Sequence, residues 1–377
     1  MISIFIKIYR SIDWLLFGSL VLITIAGILT MGSFGGESLF SFRQMIWLLV
    51  SSLVLGLASV VDWRFLRRTE FIVFLFGLSC FVLLTLFVLG SVFKGARSWF
   101  DFGSFAFQPV DFAKIAIIVL LAKYFSRRHI EIANVRHILV SGLYTLIIFT
   151  LVLLQPDFGS AIIIFLIWFA MVLFSGISKK HLAAVLLSGI LAFSLLWYFV
   201  FQDYQKARII SFINPLTDLS GAGYNAYQSM IAVGSGEIIG KGIGLGSQSK
   251  LKFLPEYETD FIFAAFSEEW GFVGVLILFG LYGVVFWRII SITKKGATNF
   301  EILYGLGLSS FLFSHFVVNV GMNIGLLPIT GITMPFMSYG GSHLLAEFLG
   351  IGILMGQGVY ARSAQKQEVK NEIVGVV

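Results

Sequence analysis

Apolar stretches of about 18 residues or more recur along this chain, and they decide what it can fold into. At 1.5 Å of rise per residue, one such stretch crosses a bilayer's hydrocarbon core as a helix. Composition agrees: of 377 residues, 58% are hydrophobic and 12% charged, with a mean hydropathy of +0.93. A soluble domain carries about a quarter of its residues charged. The expected fold class is therefore all-α, a polytopic membrane protein with about ten transmembrane helices. The expected spans are 14–31, 44–61, 71–90, 109–125, 138–155, 158–175, 181–201, 261–291, 302–321 and 341–360. The eighth is longer than one crossing requires, so its start is expected outside the hydrocarbon or tilted. Residues 1–361 read as one integral-membrane domain and 362–377 as a short polar cytoplasmic tail.

The net charge of +6 does not point to nucleic acid, because the basic residues sit in small groups between apolar runs. Alternate loops hold 17 Lys and Arg on one side and 8 on the other. By the positive-inside rule both termini are cytoplasmic. The loop at about 202–260, between spans seven and eight, is then the one large extracytoplasmic segment. Its many apolar residues predict that it folds back onto the bundle. All six prolines (109, 156, 215, 255, 328 and 335) fall at or beyond span ends on that same side. Irregular backbone is tolerated at membrane depth only where protein buries it or where it lines a cavity. Binding is thus expected on the outer half. Lys7 and Arg10 precede the first span as in a signal peptide, but that span is too long for one and reads as retained. Cys80, the single cysteine, excludes an internal disulfide and reads as a small apolar side chain.

The motifs divide the outer side further. GSGEIIGKGIGLG, 234–246, has neither the spacing of a phosphate loop nor that of a dinucleotide fingerprint. Its glycines fit close backbone approach, either to a ligand or to a helix. FQPVDFAK, 107–114, puts Gln108, Pro109, Asp111 and Lys114 at the start of a span, with the acid and the lysine on one face. A proline and an acid in the first turn are ordinary helix-start chemistry. Lys114 lies a turn deeper, where an unpaired charge is costly, so pairing with Asp111 is expected. LQPDFGSA, 154–161, repeats the pattern. Lys94 and Arg97 beside Trp99, with Arg208 and Lys241 from the long loop, place cations against the charge bias. They read either as a solvated face or as a pyrophosphate site. Asp260, in LPEYETDFIF, directly precedes an apolar run. It is either a helix-start acid or a carboxylate tuned by its low-dielectric setting to act as a base. The five histidines show no metal-ligand spacing.

KGARSW, FQPVDFAK, LLQPDFGSA, NPLTDLSGAGYNAYQSMIAVGSGEIIGKG, GSQSKLKFLPEYETDFIFAAFSEEWG and NVGMNIGLLPITGITMPFMSYGGS resemble the signature blocks of the SEDS family (shape, elongation, division and sporulation). The resemblance runs from IDWLL in the first span to the last span and is nearest to the elongation branch. It implies a peptidoglycan glycosyltransferase that polymerises lipid II on the outer face of the cytoplasmic membrane. Partners implied are lipid II, the growing lipid-linked glycan and a class B penicillin-binding protein that cross-links the strands. The family's essential acid falls on Asp260. The same blocks imply substrate contacts from Lys94, Arg97, Gln108, Asp111, Lys114, Arg208, Gln228, Lys241, Glu256 and Ser338. The family's usual Q-P-S-E-x-x-K becomes Gln108, Pro109, Val110, Asp111 and Lys114 here, a shorter acid and no serine. Glu347, midway along the last span, matches no family motif.

The implied reaction needs no nucleotide, because the donor's leaving group is already a lipid pyrophosphate. The acceptor's GlcNAc 4-hydroxyl would attack the donor's MurNAc anomeric carbon while one carboxylate takes its proton. Cations such as Arg97 and Lys241, or a divalent metal (magnesium or manganese), would meet the charge on the pyrophosphate. The rival reading is a lipid II flippase, whose path Lys114, Glu347, Asn319 and His315 would line.

Overall fold

The computed structural model describes residues 2–33, 38–93, 96–103, 106–126, 135–199, 201, 206, 210, 212, 222–251 and 253–374. Helices occupy all ten positions at which a span was expected. After α1 (Ile2–Ser11) come α2 (Trp14–Ser33), α3 (Ser38–Ala58), a 3₁₀ turn (Trp63–Arg67) and α4 (Thr69–Leu89). The middle of the chain forms α5 (Val110–Ser126), α6 (Val135–Leu154), α7 (Phe158–Phe174) and α8 (Lys179–Phe199). Then follow α9 (Ala222–Ser235), the single turn α10 (Ser247–Lys250), α11 (Ile262–Thr293), α12 (Asn299–Asn323) and α13 (Gly341–Val374). Eight of these are long and apolar enough to cross a membrane. The other two expected spans, α5 and α7, have 17 residues each, about 25 Å of helix.

Burial separates an inner layer from a lipid-facing one. On α5 nearly every residue from Val110 to Ala122 is buried, and α12 packs against α5, α7 and α11. Pairs α3 with α13 and α2 with α11 close the bundle around them. The apolar faces of α4, α6 and α8 stay exposed, as they do when lipid is the solvent.

Two features depart from a purely helical expectation. Strands β1 (Ser91–Phe93), β2 (Ala96–Asp101) and β3 (Ala106–Phe107) form a small antiparallel sheet after α4, in register at Ser91 with Trp99 and at Phe100 with Phe107. Strands this short carry too little alternation to be read from sequence. Helix α13 also continues to Val374, beyond the span end expected at 360.

The long eighth span is a broken helix. Gly271 interrupts α11 with φ 62° and ψ −167°, a conformation open essentially to glycine alone. A break frees backbone groups that membrane interiors cannot leave unpaired. Here the glycine-rich loop supplies the partners. Lys241 and Gly242 N–H groups donate to the Glu268 and Glu269 carbonyls at 3.0 Å. From the other side of the break, Phe272 and Val273 N–H groups donate to the Glu237 and Ile238 carbonyls at 2.9 and 3.0 Å. A Cβ at Gly240 would collide with the Glu269 carbonyl, and one at Gly236 with that of Ser267. Of the two readings left open for this loop, helix contact is the one the packing realises.

The same loop is clamped by charge. Glu268 takes Lys241 Nζ at 2.6 Å, Ser247 Oγ at 3.2 Å and the Gln248 N–H at 3.0 Å. Glu269 takes Ser33 Oγ at 2.5 Å and the Gly244 N–H at 2.6 Å, tying the break to α2. Residues 222–260 that are described therefore fold onto α11 and α12, with Ser229, Ala232 and Leu254 fully buried.

Between α12 and α13 the chain turns back into the bundle without forming a helix. Ile332, Met334, Phe336, Met337 and Ser338 are all buried, and the Tyr282 hydroxyl, well down α11, donates to the Pro335 carbonyl. From Met334 to Ser338 this irregular backbone is covered by protein, as membrane burial demands, while Gly331 stays exposed.

If the splice between the glycine loop and α11 holds this end together, Gly271→Ala and Gly240→Ala each destabilise the fold. We expect a lower thermal midpoint in detergent, with about 1–3 kcal/mol lost at each strained position. Gly189→Ala, in α8 with open space around it, leaves the midpoint unchanged or raised.

Candidate active site

Asp260 lies half-buried in the turn that leads into α11. Its placement is set first by its backbone. The turn opens at Glu256, whose φ of 52° is left-handed and whose carbonyl accepts from the Thr259 and Phe261 N–H groups at 3.1 and 3.2 Å. The Asp260 carbonyl accepts from Nδ2 of Asn319 at 2.9 Å and of Asn323 at 3.1 Å. These asparagines are four residues apart and so share one face of α12. Asn319 Nδ2 also donates to the Ile332 carbonyl at 2.7 Å, joining the Asp260 turn to the re-entrant segment.

Two further bonds close that junction. Ser338 Oγ donates to the Thr259 carbonyl at 2.6 Å while accepting the Met334 N–H at 2.8 Å. The Tyr339 N–H donates to the Glu258 carbonyl at 2.8 Å. The carboxylate itself lies near Gly331: a Cβ on that glycine would stand 3.6 Å from Asp260 Oδ2.

One residue beyond Ile332, the re-entrant segment meets a buried charged network. The Thr333 carbonyl lies 3.2 Å from His315 Nδ1, and His315 Nε2 lies 3.2 Å from Lys114 Nζ. Lys114 pairs with Asp111 at 2.9 Å, both side chains being 1–2% exposed. Across from α13, His343 places Nδ1 3.2 Å from Asp111 Oδ2 and Nε2 3.0 Å from Glu347 Oε1. Glu347 Oε2 in turn accepts the Phe336 N–H at 2.8 Å. The chain of contacts therefore leaves the re-entrant segment at Thr333 and returns to it at Phe336. Removing one member strands a buried charge, at a cost of roughly 3–5 kcal/mol.

The expected substrate contacts separate into groups. Asp111, Lys114 and Ser338 are buried, 1–3% exposed, and lie against protein partners, although Asp111 Oδ2 makes no hydrogen bond. They were expected at the substrate, and the structure places them inside the protein, next to the re-entrant segment. Lys241 gives two of its three donors to Glu268 and Ser247. Gln108 is half-buried, its N–H donating to Ser342 Oγ at 3.1 Å and its amide nitrogen 3.3 Å from Asp157 Oδ2. Arg97 is exposed, held by its N–H on the Gln155 carbonyl and by its guanidinium on the Phe87 carbonyl, both at 3.3 Å. Gln228 is half-buried on α9, beside Ser229, which bonds Asn323 at 3.0 Å. Glu256 lies in the Asp260 turn, accepting Thr259 Oγ1 at 3.2 Å. Lys94 and Arg208 lie outside the described residues.

Asn323 has no part in the sequence reading, His343 enters it only among the histidines without metal-ligand spacing, and Glu347 has a role only in the rival transport path. The signal was present as i, i+4 spacing: His315, Asn319 and Asn323 form one ladder on α12, and His343 with Glu347 another on α13.

With this geometry in view, relatives identify the chain. The cell cycle protein family FTSW_RODA_SPOVE matches residues 6–362. Peptidoglycan glycosyltransferase MrdB of Escherichia coli (strain K12) is 37% identical over 285 residues, covering 75% of this chain and 76% of that protein. Stage V sporulation protein E of Bacillus subtilis (strain 168) is 33% identical over 336 residues, covering 87% and 89%. Among solved structures, the rod shape determining protein RodA of Thermus thermophilus superposes with a TM-score of 0.69 at 30% identity, covering 92% and 96% of the two chains. A chain in a peptidoglycan synthase complex, described for its coordination of polymerisation and cross-linking, superposes with a TM-score of 0.79 at 30% identity, covering 93% and 98%. The chain belongs to the FtsW/RodA/SpoVE family.

Proposed function

We propose that this protein is a peptidoglycan glycosyltransferase that polymerises lipid II, with Asp260 as its general base. The observation that carries this reading is the construction around Asp260. Its backbone is gripped by two buried asparagines, while its side chain is only half-buried at the end of a membrane bundle. A carboxylate so placed can meet a sugar whose lipid tail stays in the bilayer. MrdB, with which the chain shares most of its length, is named for the same activity.

In this reading the GlcNAc 4-hydroxyl of the acceptor attacks the MurNAc anomeric carbon of the donor. The new C–O bond forms as the bond to the lipid pyrophosphate breaks, and Asp260 receives the hydroxyl proton. The single displacement inverts the anomeric centre. Arg97 is the exposed cation best placed by sequence to meet the departing pyrophosphate, with Lys94 and Arg208 its expected companions. A divalent cation, magnesium or manganese, could supply the same charge. Among the described residues no three His, Cys, Asp or Glu side chains come together to hold one, so no step is routed through it.

The Asp111–Lys114–His315–His343–Glu347 network acts as a support. It holds Thr333 and Phe336, and through Ile332 and Asn319 it fixes the backbone of Asp260. The likeness to a chain of a synthase complex supports a cross-linking partner, a class B penicillin-binding protein. Of the elongation, division and sporulation roles, we assign elongation.

The closest contrast is between neighbours in one turn. Asp260→Asn keeps shape and removes the base, so glycan polymer formed from labelled lipid II should fall at least about 10²-fold, the lower end for general-base loss. Glu258→Gln should cost little. Polymerisation by Asp260→Asn near the wild-type rate would reduce Asp260 to a helix-start acid. Orientation is tested separately. In a Cys80→Ser background, Ile239→Cys, exposed in the glycine loop, should react with an impermeant maleimide in cells whose cytoplasmic membrane is intact. Lys180→Cys should be protected, and the reverse pattern would put Asp260 on the cytoplasmic side.

A further inference from the structure

The end of the bundle opposite Asp260 holds a polar cavity that glycosyl transfer does not use. It is open, about 400 Å³ in volume, and lies where the 3₁₀ turn, the end of α5 and the start of α12 converge. Arg67, Lys123, Ser126, Thr298, Asn299 and Phe300 line it. Its two cations are held in place: the Arg67 guanidinium pairs with Glu301, and Lys123 Nζ donates to the Arg67 carbonyl. Glu301 offsets the Arg67 charge from the protein side of the cavity, while the guanidinium stays 32% exposed. The Glu301 side chain is 6% exposed and also accepts the Ala297 N–H at 2.7 Å, so its charge is turned inward.

The start of α12 adds a second anion-seeking element. Thr298 is the residue before this 25-residue helix, and its side chain makes no capping hydrogen bond. Its Oγ1 is buried without a partner. The first N–H groups of the helix thus have no cap from Thr298, while Glu301 in the first turn sets a negative charge against the positive end of the helix dipole. Gln357 of α13 is 5% exposed, with neither amide atom partnered, and lines a small adjoining cavity that shares Arg67 and Phe300. Unpaired polar atoms in buried positions are rare.

We propose that this cavity binds the phosphate of an anionic phospholipid headgroup. Arg67 and Lys123, fixed at the cavity wall, and the first N–H groups of α12, which Thr298 leaves uncapped, match a phosphodiester. The room exceeds that of a bare phosphate and accommodates the headgroup alcohol as well. The depth also fits a lipid, since the cavity is formed beside the 3₁₀ turn where the spans α5 and α12 reach their ends, the level at which headgroups lie.

The test uses the full chain, purified, stripped of lipid and titrated with phosphatidylglycerol or phosphatidylcholine under native mass spectrometry. One phosphatidylglycerol should be held in preference to phosphatidylcholine. Lys123→Gln should weaken it about fivefold, the share of one basic group near a membrane surface. Asn299→Asp puts a negative charge in the cavity while suiting the helix start, so the fold is kept and retention drops. Lys180→Gln removes an exposed cation that does not line the cavity and should change nothing. Equal retention by all three variants overturns the site. Displacement of the lipid by inorganic phosphate at low millimolar concentration overturns its assignment to a lipid.

Discussion

The Asp260 carbonyl takes two side-chain amide hydrogen bonds from α12, and the organisation of this end of the molecule follows from that grip. Asn319 and Asn323 are fully buried, so their amides must find partners inside the protein. The partners they find are the turn bearing the acid and the re-entrant segment behind it. This couples the position of Asp260 to α12, one of the most buried helices of the bundle, rather than to the mobility of a loop. The general-base role proposed for Asp260 needs this: misplacement by about 1 Å can cost about 10² in rate.

Behind the grip stand two further constraints, both consequences of a solvent that offers no hydrogen bonds. One is the broken helix α11, whose freed carbonyls and N–H groups are paired with the glycine loop across the break at Gly271. Because Asp260 stands two residues before α11, the splice fixes the far side of the helix start. The other is the buried network from Glu347 to His315, which anchors the re-entrant backbone at Thr333 and Phe336. Buried ion pairs contribute little net stability, but their geometry is demanding, and breaking one is costly. Their use here is to specify one arrangement of irregular backbone.

What was legible in the sequence follows from the range of the interactions involved. The ten helix positions were readable because span length and apolarity are local quantities, and the prolines marked where irregular backbone gathers. The Asp111–Lys114 pair was readable because its members are three residues apart. The glycine loop remained undecided because its partners, Glu268 to Val273, are about thirty residues away and bonded through backbone, which no side-chain pattern reports. Lys241 looked like a free cation for the same reason, its acid partner lying on the broken helix. The ladders His315–Asn319–Asn323 and His343–Glu347 were present as spacing, but which residues they face is a property of packing.

The most direct test of this account is the rate of lipid II polymerisation by Asn319→Leu. This substitution keeps the branched outline and heavy-atom count of the side chain, leaves the Asp260 carboxylate untouched and removes the amide that joins its carbonyl to Ile332. In protein whose thermal midpoint shows it folded, polymerisation is expected to fall by about 10-fold or more, with lipid II binding retained. Polymerisation at the wild-type rate would contradict the account, because the acid would then not depend on the α12 amides for its position.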